Sequence, residues 1–176
     1  MQARVWAVST KKTNTDAGED AELGGEALRE LYSRPGFLLR RANQISVAVF
    51  LEETAALGVT TSQYGALYVL SKVEGLDIIG LGRKLGADRS TSALVVSKLE
   101  AAGWVKTETS EMDRRRKVLS LTPAGKAALE AMTAPAKAAR ERLLSAFSPA
   151  EAEQFLKLLD KFVSRFNGVI RTPIGS

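Results

Sequence analysis

The fold is decided by the segment from Ile78 to Gly125, which reads IIGLGRKLGADRSTSALVVSKLEAAGWVKTETSEMDRRRKVLSLTPAG. Apolar residues at helical spacing predict a short helix over 78–85, and Gly86 breaks it. Asp88 is placed to cap a second helix, which we expect to run from Arg89 to about Ala102. Two helices separated by a tight turn therefore open the segment.

A charged hairpin follows the second helix. The pattern predicts one strand over 104–109 and another over 117–121, with a short loop between them. The end of that loop and the start of the next strand carry four consecutive basic residues, 114–117. The order helix, turn, helix, strand, charged loop, strand is typical of a winged helix-turn-helix. In such a fold one helix enters the major groove of double-stranded DNA and the hairpin lies beside it.

Outside this segment the chain is predicted to be helical, so the fold class is mainly α with a small β-hairpin wing. The predicted helices are 26–33, 35 to about 58, 61 to about 75, 123 to about 147 and 149 to about 166. In the predicted helix from 35 to about 58, the apolar residues cover more than one face, as in a helix buried between other elements. Residues 1–25 lack apolar periodicity and predict a mobile N-terminal tail, and residues 167–176 predict a C-terminal tail.

The composition excludes several classes of chemistry. The 176 residues include no cysteine and no histidine, which removes disulfides, thiol nucleophiles, Ser-His-Asp triads and imidazole metal ligands. The 20 acidic residues form no cluster at ligand spacing, and the sequence has no glycine-rich phosphate loop. We therefore expect no enzymatic activity, no metal and no cofactor. The net charge of +5 is compatible with a nucleic-acid partner but supports it only weakly.

The sequence also gives an expectation for location. No apolar run approaches the roughly 20 residues needed to span a bilayer. The first residues lack the continuous apolar core of a signal peptide. We therefore expect a cytoplasmic protein.

The candidate DNA contacts lie on the second helix and on the hairpin tip. Hydroxyl and guanidinium groups at a helix N-terminus suit phosphates and base edges, and arginines suit the negative minor groove. The candidates are Arg89, Ser90, Thr91, Ser92, Leu94 and Lys98 on the helix, and Arg114, Arg115 and Arg116 on the hairpin. Three alternatives stay open: Thr91 and Ser92 complete the helix cap, Leu94 belongs to the core, and the basic run is a solvated turn.

Three stretches carry a family resemblance, namely Leu81–Thr91, Leu99–Val105 and Asp113–Gly125. Together they resemble the MarR family of bacterial transcriptional regulators, with the similarity extending over residues 35–166. The resemblance implies a single unit, 26–166, in which 61–122 form the winged helix-turn-helix. It also implies a homodimer, in which helices of 35–60 and 123–166 pack against those of the partner. The two recognition helices then meet adjacent major grooves of a pseudo-palindromic operator.

The resemblance assigns roles to two wing residues. The family's Asp-x-Arg corresponds to Asp113 and Arg115, which implies that Asp113 holds Arg115 in place while the arginine reaches the minor groove. Leu94 departs from the family, which often has a basic residue on that side of the recognition helix. With Ala93 it offers apolar contact to thymine methyl groups instead. The operator sequence is therefore not predicted.

Regulators of this family are commonly released by a small molecule, and five residues are candidates for its site. Arg40, Arg41 and Gln44 lie within one turn of the first long helix, and Tyr64 and Tyr68 share one face of the next. An arginine that pairs with a carboxylate, together with aromatic walls, suits an aromatic acid. In the alternative, the arginines pair with acidic residues of a dimer partner and the tyrosines are ordinary core. The absence of cysteine excludes peroxide sensing through a thiol.

The sequence therefore predicts a ligand-responsive, sequence-specific DNA-binding regulator. We interpret it as a repressor that a small aromatic carboxylate or phenolic compound releases from its operator, although the residues do not separate repression from activation. The alternative is an architectural or weakly specific DNA-binding protein without an effector, which depends mainly on phosphate contacts. Acidic residues interleaved with the basic ones, and the long dimerisation helices, favour the first interpretation.

Overall fold

The computed structural model of the protein describes residues 25–110, 113–170 and 172–174. Over these residues it is mostly helical with an antiparallel two-stranded hairpin, which confirms the predicted fold class. The described residues divide into two compact units, with the boundary between Gln44 and Ile45. Among the helices of the described residues, none combines the length and the hydropathy needed to cross a membrane.

The described elements follow the predicted order, except that one predicted helix is divided in two. They are α1 Gly25–Ser33, α2 Pro35–Glu53, a 3-10 turn Ala55–Leu57, α3 Thr61–Lys72, α4 Ile78–Leu85, α5 Arg89–Ala101, β1 Val105–Thr109, β2 Lys117–Leu121, α6 Pro123–Ala131, α7 Thr133–Leu144, α8 Pro149–Phe166 and a 3-10 turn Asn167–Val169.

Side-chain caps fix where helices begin, and the cap of α5 falls at the predicted residue. The Asp88 carboxylate accepts a hydrogen bond from the N–H of Thr91 at 2.7 Å, which begins α5. Ser148 and Glu151 form a capping box at the start of α8. Each cap satisfies backbone donors that the first helical turn leaves without a partner.

The hydrophobic core lies in the part of the chain between residues 59 and 132. Leu67 of α3, Leu81 of α4 and Leu99 of α5 are completely buried, so the three helices pack through leucines at their centre. The wing strands and the residue after α6 complete this core. Its members are Val59, Ala66, Leu67, Leu70, Leu81, Val95, Val96, Leu99, Val105, Leu119 and Met132.

The wing is anchored at its base and exposed at its tip. The strands pair from Val105 opposite Leu121 to Thr109 opposite Lys117. Val105 and Leu119 are buried against the core, whereas the strand ends near the tip are exposed. The N–H of Leu119 also donates to the carbonyl oxygen of Leu76 at 2.7 Å, which joins the hairpin to the loop before α4.

One predicted helix proves to be two. Residues 123–147 were expected to form a single helix, but α6 ends at Ala131 and α7 begins at Thr133. Pro135 lies in the first turn of α7 and has no N–H to donate to a carbonyl of the preceding turn, so α6 cannot continue through it. Met132, at the break, is completely buried in the core. A proline shortly after a threonine was the sequence signal for this second start.

Two further expectations change at the ends of the chain. The apolar pattern of α2 predicted a buried helix, yet none of its residues is buried in this chain. The predicted C-terminal tail instead folds back, because the hydroxyl of Thr172 donates to the carbonyl oxygen of Gly86 at 2.8 Å. The predicted N-terminal tail, apart from the residue that begins α1, lies outside the described residues.

Candidate nucleic-acid interface

The turn between α4 and α5 holds the two helices in close contact. Gly86 ends α4 with φ of 65°, in the left-handed region where other residues are strained. A Cβ added at Gly82 would lie 2.6 Å from Ser92 Oγ and 2.7 Å from the carbonyl oxygen of Ala87. Only glycine permits this approach without a shift of the backbone. The role of Gly82 was not predicted from the sequence, although a glycine inside an eight-residue helix was a signal for it.

The structure contradicts the prediction that Ser92 contacts DNA. Ser92 is completely buried, and its Oγ donates to the carbonyl oxygen of Asp88 at 2.8 Å. The helical period turns this position toward Gly82 of α4 and away from solvent. Ser92 is not part of the helix cap either, because the Asp88 carboxylate forms the cap and the Ser92 hydroxyl donates to a carbonyl oxygen; Ser92 is a packing residue between α4 and α5.

The other predicted contacts on α5 are exposed. Ser90, Leu94 and Lys98 are four residues apart, so they follow one another along one face of the helix. Leu94 is 58% exposed and is therefore not a core residue. Arg89 and Thr91 are exposed in the first turn of the same helix. The exposed face of α5 thus combines hydroxyl, basic and apolar groups.

The wing tip is a tight turn organised by Asp113. Its Oδ1 accepts from the backbone N–H of Arg115 at 2.9 Å, and its carbonyl oxygen accepts from the N–H of Arg116 at 2.9 Å. The N–H of Ser110 donates to the carbonyl oxygen of Arg116 at 2.9 Å and closes the hairpin. The contact between Asp113 and Arg115 therefore runs to the main chain. The side chains of Arg114, Arg115 and Arg116 are exposed.

Charged side chains along the wing pair with their neighbours. Lys106 Nζ donates to Glu108 Oε1 at 2.5 Å, and Ser120 Oγ donates to Glu108 Oε2 at 2.7 Å. These hydrogen bonds, that of Lys106 first, hold the pKa of Glu108 below its usual value. Lys117 donates to Thr109 Oγ1 at 2.9 Å. The basic character of the tip therefore rests on the three arginines that precede Lys117.

Four residues that were not singled out from the sequence fix the wing to the helices. We call them the wing anchor (Gly103, Trp104, Thr122 and Gly125). Thr122 Oγ1 donates to the carbonyl oxygen of Gly103 at 2.6 Å. The backbone N–H of Thr122 donates to the carbonyl oxygen of Trp104 at 3.0 Å. A Cβ added at Gly125 would lie 2.0 Å from the Trp104 oxygen. The motif Thr-Pro-Ala-Gly was the available signal, because its threonine supplies the hydrogen bonds and its glycine the space.

The candidate effector residues of α2 lie in the first unit. Arg41 Nη1 donates to Gln44 Oε1 at 3.2 Å. The guanidinium carbon of Arg40 lies 4.9 Å from the centre of the Phe37 ring, a distance typical of a cation–π contact. Both arginines are exposed, so both present their charge to solvent.

The candidate tyrosines of α3 lie in the second unit, in a row with Phe50. The ring centres of Phe50 and Tyr64 are 5.5 Å apart, and those of Tyr64 and Tyr68 are 6.2 Å apart. Tyr64 is half-buried, whereas Tyr68 is 49% exposed. Phe50 and Tyr64 are therefore partly packed, whereas the ring of Tyr68 faces solvent and is not an ordinary core residue.

α8 carries an apolar stripe that the described residues leave largely exposed, although Phe155 stacks on Phe147 with ring centres 5.0 Å apart. None of its residues is buried. At 100° per residue its large apolar side chains share one face, and Ser164 lies on the opposite one. The members of this α8 stripe are Phe155, Leu156, Leu158, Leu159, Phe162, Val163 and Phe166. Monomeric proteins rarely leave so many adjoining apolar side chains exposed.

Comparison with known proteins assigns this geometry to a family. A profile of the MarR family matches residues 57–116, from the end of the first 3-10 turn to the wing tip. A transcriptional regulator of the MarR family from Silicibacter pomeroyi is 30% identical, with a TM-score of 0.60 over 77% of this chain and 91% of that one. The chain belongs to the MarR family. It is therefore a transcriptional regulator with a winged helix-turn-helix fold, as the resemblance predicted.

Other relatives of this MarR-family protein are regulators as well. A probable transcriptional regulator from Pseudomonas aeruginosa is 34% identical, with a TM-score of 0.72 over 75% of this chain and 98% of that one. BpsR of Bordetella bronchiseptica, whose DNA binding is regulated by 6-hydroxynicotinic acid, is 27% identical, with a TM-score of 0.69 over 74% of this chain and 94% of that one. A putative regulatory protein for the hcr operon of Thauera aromatica is 39% identical over 53% of this chain, and the match spans 57% of that relative.

Proposed function

We propose that this MarR-family protein is a sequence-specific repressor that binds a pseudo-palindromic operator as a homodimer and leaves it when a small aromatic acid or phenolic compound binds. The observation that carries the proposal is the combination of an exposed mixed face on α5 with an exposed arginine tip on the wing. A helix face with hydroxyl, apolar and basic groups suits the edges of bases, and arginines suit the minor groove.

The individual roles follow from side-chain chemistry. Arg89, Ser90 and Thr91, in the first turn of α5, suit phosphates and base edges where a recognition helix enters the groove. Leu94 suits the methyl group of thymine, and Lys98 suits a phosphate farther along. On the wing, Arg115 enters the minor groove while Asp113 keeps the turn in shape.

The homodimer is supported by the α8 stripe. A second copy of this chain covers that stripe with an identical one, as two-fold symmetry requires. Two recognition helices related by such an axis read half-sites about 34 Å apart, one turn of B-DNA. The terminal helices thereby set the spacing that the operator has to match.

The effector is proposed from chemistry and from one relative. Arg40 and Arg41 supply exposed guanidinium groups, which pair with carboxylates, and Gln44 adds an amide. Tyr64 and Tyr68 supply aromatic surface, which suits a planar ring. The relative BpsR responds to 6-hydroxynicotinic acid, an aromatic acid, and this supports the same class of effector here.

The first test is the specificity of DNA binding. Fluorescence anisotropy compares a labelled duplex of the protein's own promoter with a scrambled duplex of equal composition at fixed salt. We expect the promoter to bind at least about 10³-fold more tightly. A ratio near one rejects the repressor and supports an architectural DNA-binding protein.

The second test is release by an effector. 6-Hydroxynicotinic acid and benzoic acid are titrated into the promoter complex of the wild type, of Arg41→Ala and of Arg140→Ala, which removes an exposed arginine from α7. We expect Arg41→Ala to bind the promoter normally and to lose release, and Arg140→Ala to behave as the wild type. Release of Arg41→Ala at an unchanged acid concentration refutes the assignment of Arg41.

A further inference from the structure

The C-terminal segment Thr172–Ile174 packs on the turn of the helix-turn-helix. Thr172 Oγ1 donates to the carbonyl oxygen of Gly86 at 2.8 Å. A Cβ added at Gly86 would lie 3.2 Å from Cγ1 of Ile174, so the isoleucine side chain rests directly on the glycine. The segment thus contacts the residue that separates α4 from α5, although it is 86 positions away in sequence.

The segment is held in a closed loop by the end of α8. Asn167 Nδ2 donates to the carbonyl oxygen of Ile174 at 2.9 Å, and the N–H of Ile174 donates to Asn167 Oδ1 at 2.9 Å. The side chain of Asn167 therefore hydrogen-bonds to both the backbone N–H and the carbonyl oxygen of Ile174. This pair of bonds returns the chain toward the helix-turn-helix after the 3-10 turn.

The docked segment shares a surface with the start of the recognition helix. Thr172 and Pro173 line one groove, of about 690 Å³, together with Arg83 of α4 and with Asp88, Arg89 and Ser90 at the start of α5. The first residues of a recognition helix are those that meet base edges and adjoining phosphates. A duplex that reaches Arg89 and Ser90 therefore approaches the groove that the segment lines.

We propose that the segment Thr172–Ile174 is an internal competitor of DNA, which borders the start of the recognition helix in the free protein and is displaced when the operator binds. The proposal rests on the proposed function, because it takes α5 as the helix that enters the groove. Docking of the segment is then a second control of DNA affinity, which is part of the chain and separate from any effector. Competition of this kind raises the apparent Kd by the inverse of the undocked fraction, so a segment docked about 90% of the time weakens binding roughly tenfold.

The main test removes the docking contacts without changing the charge of the protein. The double variant Thr172→Val, Ile174→Asn removes the contacts of the segment with Gly86. Asn167→Ala removes the two hydrogen bonds that hold Ile174. Because net charge is constant, the electrostatic attraction to phosphates is unchanged. Anisotropy with the labelled promoter duplex is expected to give a Kd several-fold lower than the wild type, up to roughly tenfold, for both variants. An unchanged Kd, or a weaker one, overturns the proposal.

A second measurement reports docking without DNA. The wild-type amide of Ile174 is expected to exchange slowly with solvent, because it donates to Asn167. Gly86→Asn places a side chain against Ile174 and is expected to speed that exchange. Gly58→Asn is the matched control, since Gly58 has nearly the same backbone angles (φ 61°, ψ 30° against φ 65°, ψ 29°) and no atom within 4 Å of its added Cβ. Equal exchange in the two variants overturns the docking contact.

The two proposals fail in different ways. If the wild type binds promoter and scrambled duplexes equally, the repressor proposal fails, and the effect of the segment is read on the scrambled duplex instead. If the promoter is preferred but both segment variants bind it as the wild type does, only the internal competitor is rejected.

Discussion

The region between Val59 and Met132 and the helix α8 bury their apolar side chains in different ways. Every member of the buried core cluster lies in the first region, where helices α3, α4 and α5 and the wing cover one another. α8 has a comparable supply of large apolar residues and buries none of them in this chain. The contrast indicates that the winged helix-turn-helix has its core within one chain, and it is the basis for our proposal that a second copy covers α8.

The two regions should therefore respond differently to substitution. Damage to the first region lowers the stability of each chain, and damage to α8 changes assembly and reaches DNA binding only through it. Measurements of unfolding and of molecular mass separate the two effects, provided that protein concentration is fixed, because assembly stabilises by mass action.

The largest effect is expected at Gly125 in the wing anchor. Gly125→Ala places a Cβ 2.0 Å from the Trp104 carbonyl oxygen, and backbone must move to relieve the overlap. We expect a loss of roughly 3 kcal/mol or more in the free energy of unfolding, at the upper end of overpacking effects. Gly36→Ala makes the same change in the first turn of α2 in open space. Equal urea midpoints for the two variants would contradict the role given to the wing anchor.

The next effect tests the other side of the comparison. Phe162→Glu introduces a charge into the α8 stripe, and Ser164→Glu introduces the same charge on the opposite face. We expect Phe162→Glu alone to run as a monomer in light scattering and to lose promoter affinity on the order of a hundredfold, because two linked half-sites bind far better than one. If Phe162→Glu stays dimeric, the stripe is not the interface.

A smaller effect is expected at the wing tip. Arg115→Ala removes the proposed minor-groove contact and should weaken promoter binding by about 1–3 kcal/mol. Arg140→Ala removes the same charge from α7 and should leave the promoter Kd nearly unchanged. Both variants should unfold like the wild type, since each side chain is exposed. A similar loss of affinity in both would indicate general charge attraction only.

The smallest effect is expected at Glu108 on the wing. Because hydrogen bonds from Lys106 and Ser120 hold its pKa below the usual value, its ionised form stabilises the folded wing above the unfolded pKa. That contribution is lost as pH falls through the folded pKa, which lies below 4.5. Glu108→Gln should therefore be slightly less stable than the wild type at pH 7, with the difference shrinking below about pH 4.5. Glu130→Gln on the exposed surface of α6 is the control, and an equal pH trend there refutes the assignment.

Much of the fold was predictable because its signals are local. Asp88 caps α5 through an atom three residues away, and Gly86 supplies the conformation that ends α4. The hairpin bounds followed from alternation and from the charged loop. Exposure of the wing arginines could likewise be expected, because consecutive charges at a turn are rarely buried.

Two of the failures come from contact between positions that are apart in sequence, whereas the break at Met132 had a local signal in Pro135. Ser92 reads as a polar residue at the start of a recognition helix, yet α4 packs against it because Gly82 leaves room. The segment 172–174 has no periodicity to indicate that it docks on Gly86.

Most of the element order, the charge of the wing tip and the family of the chain could be predicted without a structure. These depend on residue type and on spacing along the chain, which set backbone preferences and helix faces. The open side of α5, the anchoring of the wing and the position of the C-terminal segment became visible only in the folded chain. Each of these depends on whether two surfaces far apart in sequence fit at van der Waals distance, and a missing Cβ at Gly82 or Gly125 is enough to decide it.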